Sequence, residues 1–205
     1  MRIAIIGAGH VGRALGAVWH KAGHEIIWNL RDPDDLKHAE LPGEKLKMVG
    51  RGLRKSDVTV LAVPWSAVDE VCAQIGEDFG GVLADCTNPV NEDFSDLDRK
   101  GANSGAEYIK SLLPRARVVK AFNQTGADNL GNADYGKNQP VSFVCSNDEA
   151  AASCVRQLSE DLGFDTLMVR GLAHARQLEE MAWLWICLAT KQGHGRNFAF
   201  SIARR

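Results

Sequence analysis

The chain has 205 residues, 45% of them hydrophobic and 24% charged, with a formal net charge of -2. This is an ordinary globular mixture, with enough apolar material for a sizeable core. The charge balance offers no basic surface for nucleic acid, and no apolar run approaches the length of a bilayer, so neither a nucleic-acid nor a membrane partner is expected.

Met1 and Arg2 lead straight into a strand pattern without the layout of a secretion signal, and a cytoplasmic protein is expected. Cys72, Cys86, Cys145, Cys154 and Cys187 are odd in number and scattered, with no C-x-x-C pair. Reduced thiols are expected rather than a disulfide framework or a metal site. His20 and His24 are four apart, but Gly23 falls between them as a helix stop, so they do not share a face.

"RIAIIG" (Arg2 to Gly7) reads as a buried strand ended by glycine. From His10 to Ala22, Val11, Leu15, Val18 and Trp19 fall at helical spacing, and Gly23 marks the C-terminal stop. "HEIIWN" is a second strand, so the opening segment predicts a βαβ unit. "DVTVLAVP" predicts a strand closed by Pro64, "SAVDEVCAQI" a helix capped by Ser66, and "GVLADC" a further strand. The polar stretch from Thr87 to Gly105 predicts a long loop of the functional kind. Ser104 and Glu107 have capping-box spacing and open a short helix. "RVVKAFN" and "PVSFVCS" predict strands, followed by a helix in "DEAAASCVRQLSEDLG", a strand in "FDTLMV" and a long amphipathic helix in "AHARQLEEMAWLWICLATKQG". The expected architecture is a Rossmann-type doubly wound α/β domain with a mostly parallel sheet. It spans residues 1–205, with a C-terminal helical appendage from about residue 173.

Gly7, Gly9 and Gly12 form G-x-G-x-x-G with a strand before, a helix after and a second strand at the right distance. Each glycine has a task in binding a dinucleotide: the tight turn, the close approach of the pyrophosphate, and the packing of helix on strand. The helix N-terminus then offers its N–H groups to the phosphates. At the tip of the second strand an NAD site usually carries a carboxylate. Here Asn29, Leu30 and Arg31 stand instead, which favours the 2′-phosphate of NADP(H). Asp32 follows, and would weaken that preference by pairing with Arg31 or by repelling a phosphate.

Ligands of open α/β sheets lie beyond the carboxyl ends of the strands. The tips concerned are Ala62–Trp65, Asp85–Val90 and Lys120–Gly126. Pro64 and Pro89 would form rigid walls, and Asn88 and Asn123 offer neutral positioning groups. No acid–base pair is visible at these tips. A carbonyl reductase needs such an acid, whereas hydride exchange between two rings needs mainly stacking and exclusion of water. Lys120 lies in an apolar run and is expected to be structural.

The segments "GAGHVGRALG", "AVPW", "DCTNPV", "SGAEYIKSLLPRARVVKAFNQTGADNL" and "RQLEEMAWLWICLA" resemble the NADP oxidoreductase, coenzyme F-420-dependent family. That family includes the archaeal NADPH:deazaflavin oxidoreductases, and the oxidoreductase domain of the STEAP metalloreductases is similar. The resemblance implies NADP(H) at Gly7, Gly9, His10, Val11 and Gly12, with its 2′-phosphate at Asn29 and Arg31. It implies a nicotinamide running past Val63, Pro64 and Trp65 towards Asn88 and Pro89, and a deazaflavin or flavin-like second substrate beside the end of "VVKAFN". Two positions depart from the pattern. Leu30 stands where many relatives have Ser, and Asn123 stands where the archaeal members have a histidine nearby.

In the last predicted helix Leu178, Met181, Trp185 and Leu188 recur at helical spacing, and Trp183, Leu184 and Ile186 widen the apolar surface. One face would pack on the sheet and the other on a second subunit, giving a homodimer. Glu179 and Glu180 beside Arg176 are read as a surface ion pair. The tail with Arg196 and Phe198 reads either as a cover for an acceptor pocket or as an edge strand. Three functions stay open: hydride transfer to a flavin-like or deazaflavin acceptor, reduction of a small carbonyl or imine, and non-catalytic sensing of NADP.

Overall fold

The computed structural model describes residues 1–47 and 52–205. Eight strands form one sheet in the order β3-β2-β1-β4-β5-β6-β7-β8. They are β1 (Arg2–Ile6), β2 (Glu25–Leu30), β3 (Glu44–Lys47), β4 (Val58–Leu61), β5 (Val82–Asp85), β6 (Arg117–Lys120), β7 (Val141–Ser146) and β8 (Asp165–Arg170). The pairings from β3 across to β6 are parallel, β7 pairs antiparallel to β6, and β8 runs parallel to β7. This is a Rossmann-like, mostly parallel α/β fold. The strand order reverses between β1 and β4, which is where such sheets open a crevice.

Two apolar layers cover the sheet. On one face Trp19 of α1 (His10–Lys21), Leu130 of α4 (Ala127–Gly131) and Val155 and Leu158 of α5 (Glu149–Glu160) join one cluster. On the other face α2 (Val68–Ile75), α3 (Gly105–Leu112) and α6 (Ala175–Thr190) contribute Val68, Val71, Ile109 and Leu178. Burial on both faces explains why β1 and β4 read as continuous apolar runs.

The predicted elements are all present, with differences at their ends. Ser66 does not cap α2: Trp65–Ala67 is a 3-10 turn, and α2 starts at Val68 behind Ala67, with no side-chain cap. Ser104 does cap α3, accepting from the Glu107 N–H at 3.1 Å. β3 and the short α4 were not foreseen. β3 reads "EKLK", too polar for the expected apolar run, and finds its place by pairing with β2. The C-terminal helix ends at Thr190, and residues 191–205 carry no helix or strand. That tail neither forms an edge strand nor lines the cleft described below. Phe198 stacks on Trp185 with centroids 5.2 Å apart, and Asn129 donates to the Arg196 and Phe198 carbonyls.

Cys72, Cys86 and Cys145 are buried, while Cys154 and Cys187 are partly exposed. Burial pushes the Cys72 thiol up to about 12 and the Cys145 thiol up to about 11, and raises Cys86 as well. The thiolate is the reactive form. At pH 8 the native protein is therefore expected to titrate only Cys154 and Cys187 with an aromatic disulfide reagent, and all five cysteines after unfolding. A third fast thiol in the native state would contradict the burial described here.

Candidate functional site

The glycine turn follows β1 directly. Gly7 has φ +99, and a Cβ there would lie 2.4 Å from the Ala62 carbonyl oxygen. A Cβ on Gly12 would lie 2.1 Å from the Gly7 carbonyl oxygen. Both glycines are therefore demanded by the protein's own backbone. Gly9 differs: a Cβ there meets nothing within 4 Å, so the protein's own packing does not demand a glycine. Gly9 caps α1 without a side-chain hydrogen bond, and no carboxylate stands in the first turn to compete with a phosphate.

The second strand tip sits against this turn, with the Gly7 N–H donating to the Asn29 carbonyl at 3.2 Å. The Asn29 side chain is buried, yet neither its amide nitrogen nor its oxygen has a partner among the described residues. An unsatisfied buried amide is costly, and a ligand that completes it relieves that cost. Arg31 is exposed and makes no ion pair among the described residues. The expected competitor, Asp32, is engaged elsewhere, accepting from the Asp34 N–H at 3.2 Å. The donor set thus fits a phosphorylated adenosine end.

Arg13 was missed at the sequence level. Its Nε donates to the Ala8 carbonyl at 2.8 Å and its Nη2 to the Lys37 carbonyl at 2.7 Å, tying residues 36–38 to the glycine turn. Burial, aided by Lys37 and Arg13, holds the neighbouring His38 below the usual histidine value. The only sequence signal was an arginine directly after the third glycine.

A cleft of about 1020 Å³ opens from the turn across the β1/β4 crevice. Three parts of the chain line it: Gly9, His10, Val11, Val63, Pro64 and Trp65 from the turn and the β4 tip; Cys86, Thr87 and Asn88 after β5; and Asn91, Glu92, Phe94, Asp98 and Lys100 from the long loop. Seven of the expected residues are brought together here: Gly9, His10, Val11, Val63, Pro64, Trp65 and Asn88. Gly7 and Gly12 shape the turn from behind, Asn29 and Arg31 stand at the strand tip, and Pro89 and Asn123 are absent from the lining. Pro89 instead accepts the Asp98 N–H through its carbonyl. The residues from Asn91 to Lys100 lie in the long loop, whose cleft-lining positions carry no spacing that a sequence reading can detect.

Asn88 and Asn123 lock each other. The Asn123 amide donates to Asn88 Oδ1 at 2.9 Å, and the Asn88 amide donates to the Asn123 carbonyl at 3.0 Å. Asn123 also donates to the Leu178 carbonyl on α6, at 3.2 Å. Phe122 just before it has φ 59, a rare backbone for a bulky residue that turns the chain into this arrangement. Lys100 is committed as well: its ammonium pairs with Asp69 and lies 5.2 Å from the Trp65 and Tyr108 ring centroids.

Behind the cleft lies a buried charge network. Lys120 is fully buried, and Nζ donates to Asp85 Oδ2 at 2.9 Å and to the Thr87 carbonyl, and lies 3.2 Å from Glu179 Oε1. Burial alone would lower the ammonium's pKa, but Asp85 and Glu179 together hold it above the usual lysine value. Lys120 is thus structural, as expected. Glu179 is a correction: it is fully buried rather than part of a surface pair. Glycine at position 105 leaves room for it, because a Cβ there would lie 3.1 Å from Glu179 Oε1.

Known proteins resemble this chain in sequence and in fold. Residues 2–89 match the family described as NADP oxidoreductase coenzyme F420-dependent. This span holds the glycine turn, the strand tips at Asn29 and Pro64, and the cleft residues after β5, so the family resemblance read from the sequence is borne out. A curated relative is metalloreductase STEAP3 of Rattus norvegicus, 26% identical over 178 residues, which are 87% of this chain and 36% of that protein. The chain thus spans about a third of the curated relatives it matches. A protein from Arthrobacter sp. FB24, put forward as an F420-dependent NADP reductase, superposes with a TM-score of 0.87 at 26% identity, over 100% of both chains. A reductive aminase from Aspergillus terreus has a TM-score of 0.66 at 17% identity, covering 94% of this chain and 62% of the aminase, and shares the fold. Among the described residues no helix is long and apolar enough to cross a membrane, and no cluster of His, Cys, Asp or Glu is grouped to hold a metal.

Proposed function

We propose that the chain is an NADP(H)-dependent oxidoreductase that passes hydride between the nicotinamide and a flavin-like or deazaflavin acceptor. The observation that carries this reading is the cleft itself. The open Gly9 and the loop of Phe94 line one and the same cleft, and its volume, about 1020 Å³, suits a nicotinamide and a second ring together. Besides the buried thiol of Cys86, its ionisable side chains are those of His10, Glu92, Asp98 and Lys100; Asp98 accepts from the Lys100 backbone N–H, the Lys100 ammonium pairs with Asp69, and among the described residues no two of these four side chains pair with each other. A carbonyl or imine reductase calls for an acid placed to protonate its product, so the lining favours ring-to-ring transfer.

In this reading the backbone of Gly9, His10 and Val11 holds the pyrophosphate, and Asn29 and Arg31 hold the adenosine 2′-phosphate. Val63, Pro64, Trp65 and Asn88 hold the nicotinamide, which supplies the hydride. Pro89 and Asn123 act from behind, one on Asp98 and the other on Asn88. Trp65 and Phe94 exclude water from the space between the rings. The reading includes a cytoplasmic homodimer, its second subunit on the α6 face where Leu184 is half exposed.

The test mixes the protein with NADPH and a panel of riboflavin, FMN, deazaflavin, a ferric chelate and a cyclic imine, and follows nicotinamide absorbance. Turnover with the flavins or the deazaflavin is the expected result. Turnover confined to the imine would replace this reading with the reductase, and tight binding without turnover would leave a sensor. Arg31→Ala is expected to weaken NADPH about 10- to 100-fold, as a lost charge-assisted hydrogen bond does, with NADH binding unchanged. Equal loss for both coenzymes would remove Arg31 from the 2′-phosphate site.

A further inference from the structure

We propose that Glu179 is a positioning residue for the acceptor half of the cleft, holding its wall through Lys120 and its rim through Arg99. Two oxygens of one buried carboxylate gather three separate parts of the chain. Oε1 lies 3.2 Å from Lys120 Nζ and accepts the Ala106 N–H at 3.2 Å. Oε2 accepts the Gly105 N–H at 3.0 Å and lies 3.6 Å from Arg99 Nε.

Each contact leads to the cleft. Lys120 Nζ donates to the Thr87 carbonyl, and Asp85 Oδ1 accepts from the Thr87 N–H at 2.9 Å and its hydroxyl at 2.7 Å, so the lining residue Thr87 is fixed from both sides. Arg99 stands between Asp98 and Lys100, both of which line the cleft. One residue before Glu179, the Leu178 carbonyl takes the Asn123 amide that in turn bonds Asn88. Thr87, Asn88 and the loop of Asp98 and Lys100 thus share an anchor on α6.

Charge makes the arrangement specific. Asp85 and Glu179 put two negative charges beside one buried ammonium. A buried charge demands a partner, and Arg99, with its side chain 18% exposed, supplies the missing positive charge. Arg99 also pairs with Glu180 through Nη2. The rim is therefore drawn in by the charge of Glu179, not merely by its shape.

Glu179→Gln separates the two roles. The amide oxygen keeps one of the two N–H groups at the start of α3 while the other loses its acceptor, Lys120 with Asp85 becomes a balanced pair, and nothing buried now calls for Arg99. In the protein without nucleotide, hydrogen exchange of amides within 87–104 is expected to quicken about tenfold, with residues 7–12 unchanged. The Kd for NADPH is expected to stay within twofold. With whichever panel acceptor turns over, KM is expected to rise about tenfold and kcat to fall less than threefold. Arg99→Met tests the same link from the exposed end. It is expected to reproduce the exchange pattern, and the double variant to be no worse than Arg99→Met alone. Unchanged exchange at 87–104 in either variant, or a uniform rise over the whole chain, overturns the proposal. The word acceptor rests on the hydride-transfer reading. If the parent oxidises NADPH with no member of the panel that reading falls, whereas the exchange result still decides the role of Glu179.

Discussion

Gly9→Ala is expected to fold like the parent and to lose NADP(H) affinity by on the order of 100-fold, about 2.7 kcal/mol. The argument rests on where the new methyl group goes. At Gly9 it meets nothing of the protein within 4 Å and projects from a residue that lines the cleft. The folded chain therefore tolerates it, and only a bound pyrophosphate competes for its space. Gly12→Ala is the control with the opposite sign. Its methyl group would lie 2.1 Å from the Gly7 carbonyl oxygen, so the start of α1 must move away from β1. Overpacking of that kind costs about 1–3 kcal/mol of stability, and binding falls with the fold. Calorimetric titration with NADPH, alongside thermal melts, separates the two. A Gly9→Ala protein that binds as the parent does would show that the turn holds no dinucleotide, and the proposed function would go with it.

Lys120→Met is expected to be the most destabilising single change in the sheet, at about 3–5 kcal/mol. Two carboxylates, Asp85 and Glu179, are left buried without their shared cation. For a chain of 205 residues this lowers the melting temperature by roughly 10 °C. Combining it with Asp85→Asn and Glu179→Gln removes every charge of the triad and is expected to restore at least half of the loss, because it is the orphaned charges that cost most. The pH dependence has a definite sign. The folded ammonium titrates above its unfolded value, so its contribution is complete below about pH 10.4 and fades as pH rises through the folded pKa. Lys120 should therefore add no slope to stability between pH 6 and 9, and Lys120→Met should flatten the alkaline fall of the parent. Chemical denaturation from pH 6 into the alkaline range above the ordinary lysine value measures both. A Lys120→Met protein as stable as the parent would remove the network from the fold's supports.

Much of this was legible in the chain, and the reasons can be given residue by residue. The βαβ opening was readable because Gly7, Gly9 and Gly12 act within a few residues of one another, where spacing and chemistry coincide. Ser104 announced α3 for the same reason, since a cap and its helix are local. Ser66 misled, because the chain takes a 3-10 turn after Pro64 before α2 begins. β3 was invisible because its polar residues owe their strand to β2. Glu179 was misread because it lies beside Glu180 and near Arg176 in sequence. Nothing in that neighbourhood reports a lysine on β6 or the N-terminus of α3. The loop side of the cleft was hidden in the same way: Glu92, Phe94 and Asp98 sit in a loop without period, and only the fold brings them into one cleft with His10.

The pairing of Lys120 with Glu179 bears on how the molecule comes into being. During synthesis the ammonium emerges with β6, well before α6 leaves the ribosome, and until then it has only the Asp85 carboxylate and the Thr87 carbonyl as partners. The sheet can assemble around the nucleotide turn while its far wall stays unfinished. Completion of that wall waits for translation to run past residue 179, so a nascent chain stalled before this point would resemble the mature protein at its coenzyme end alone.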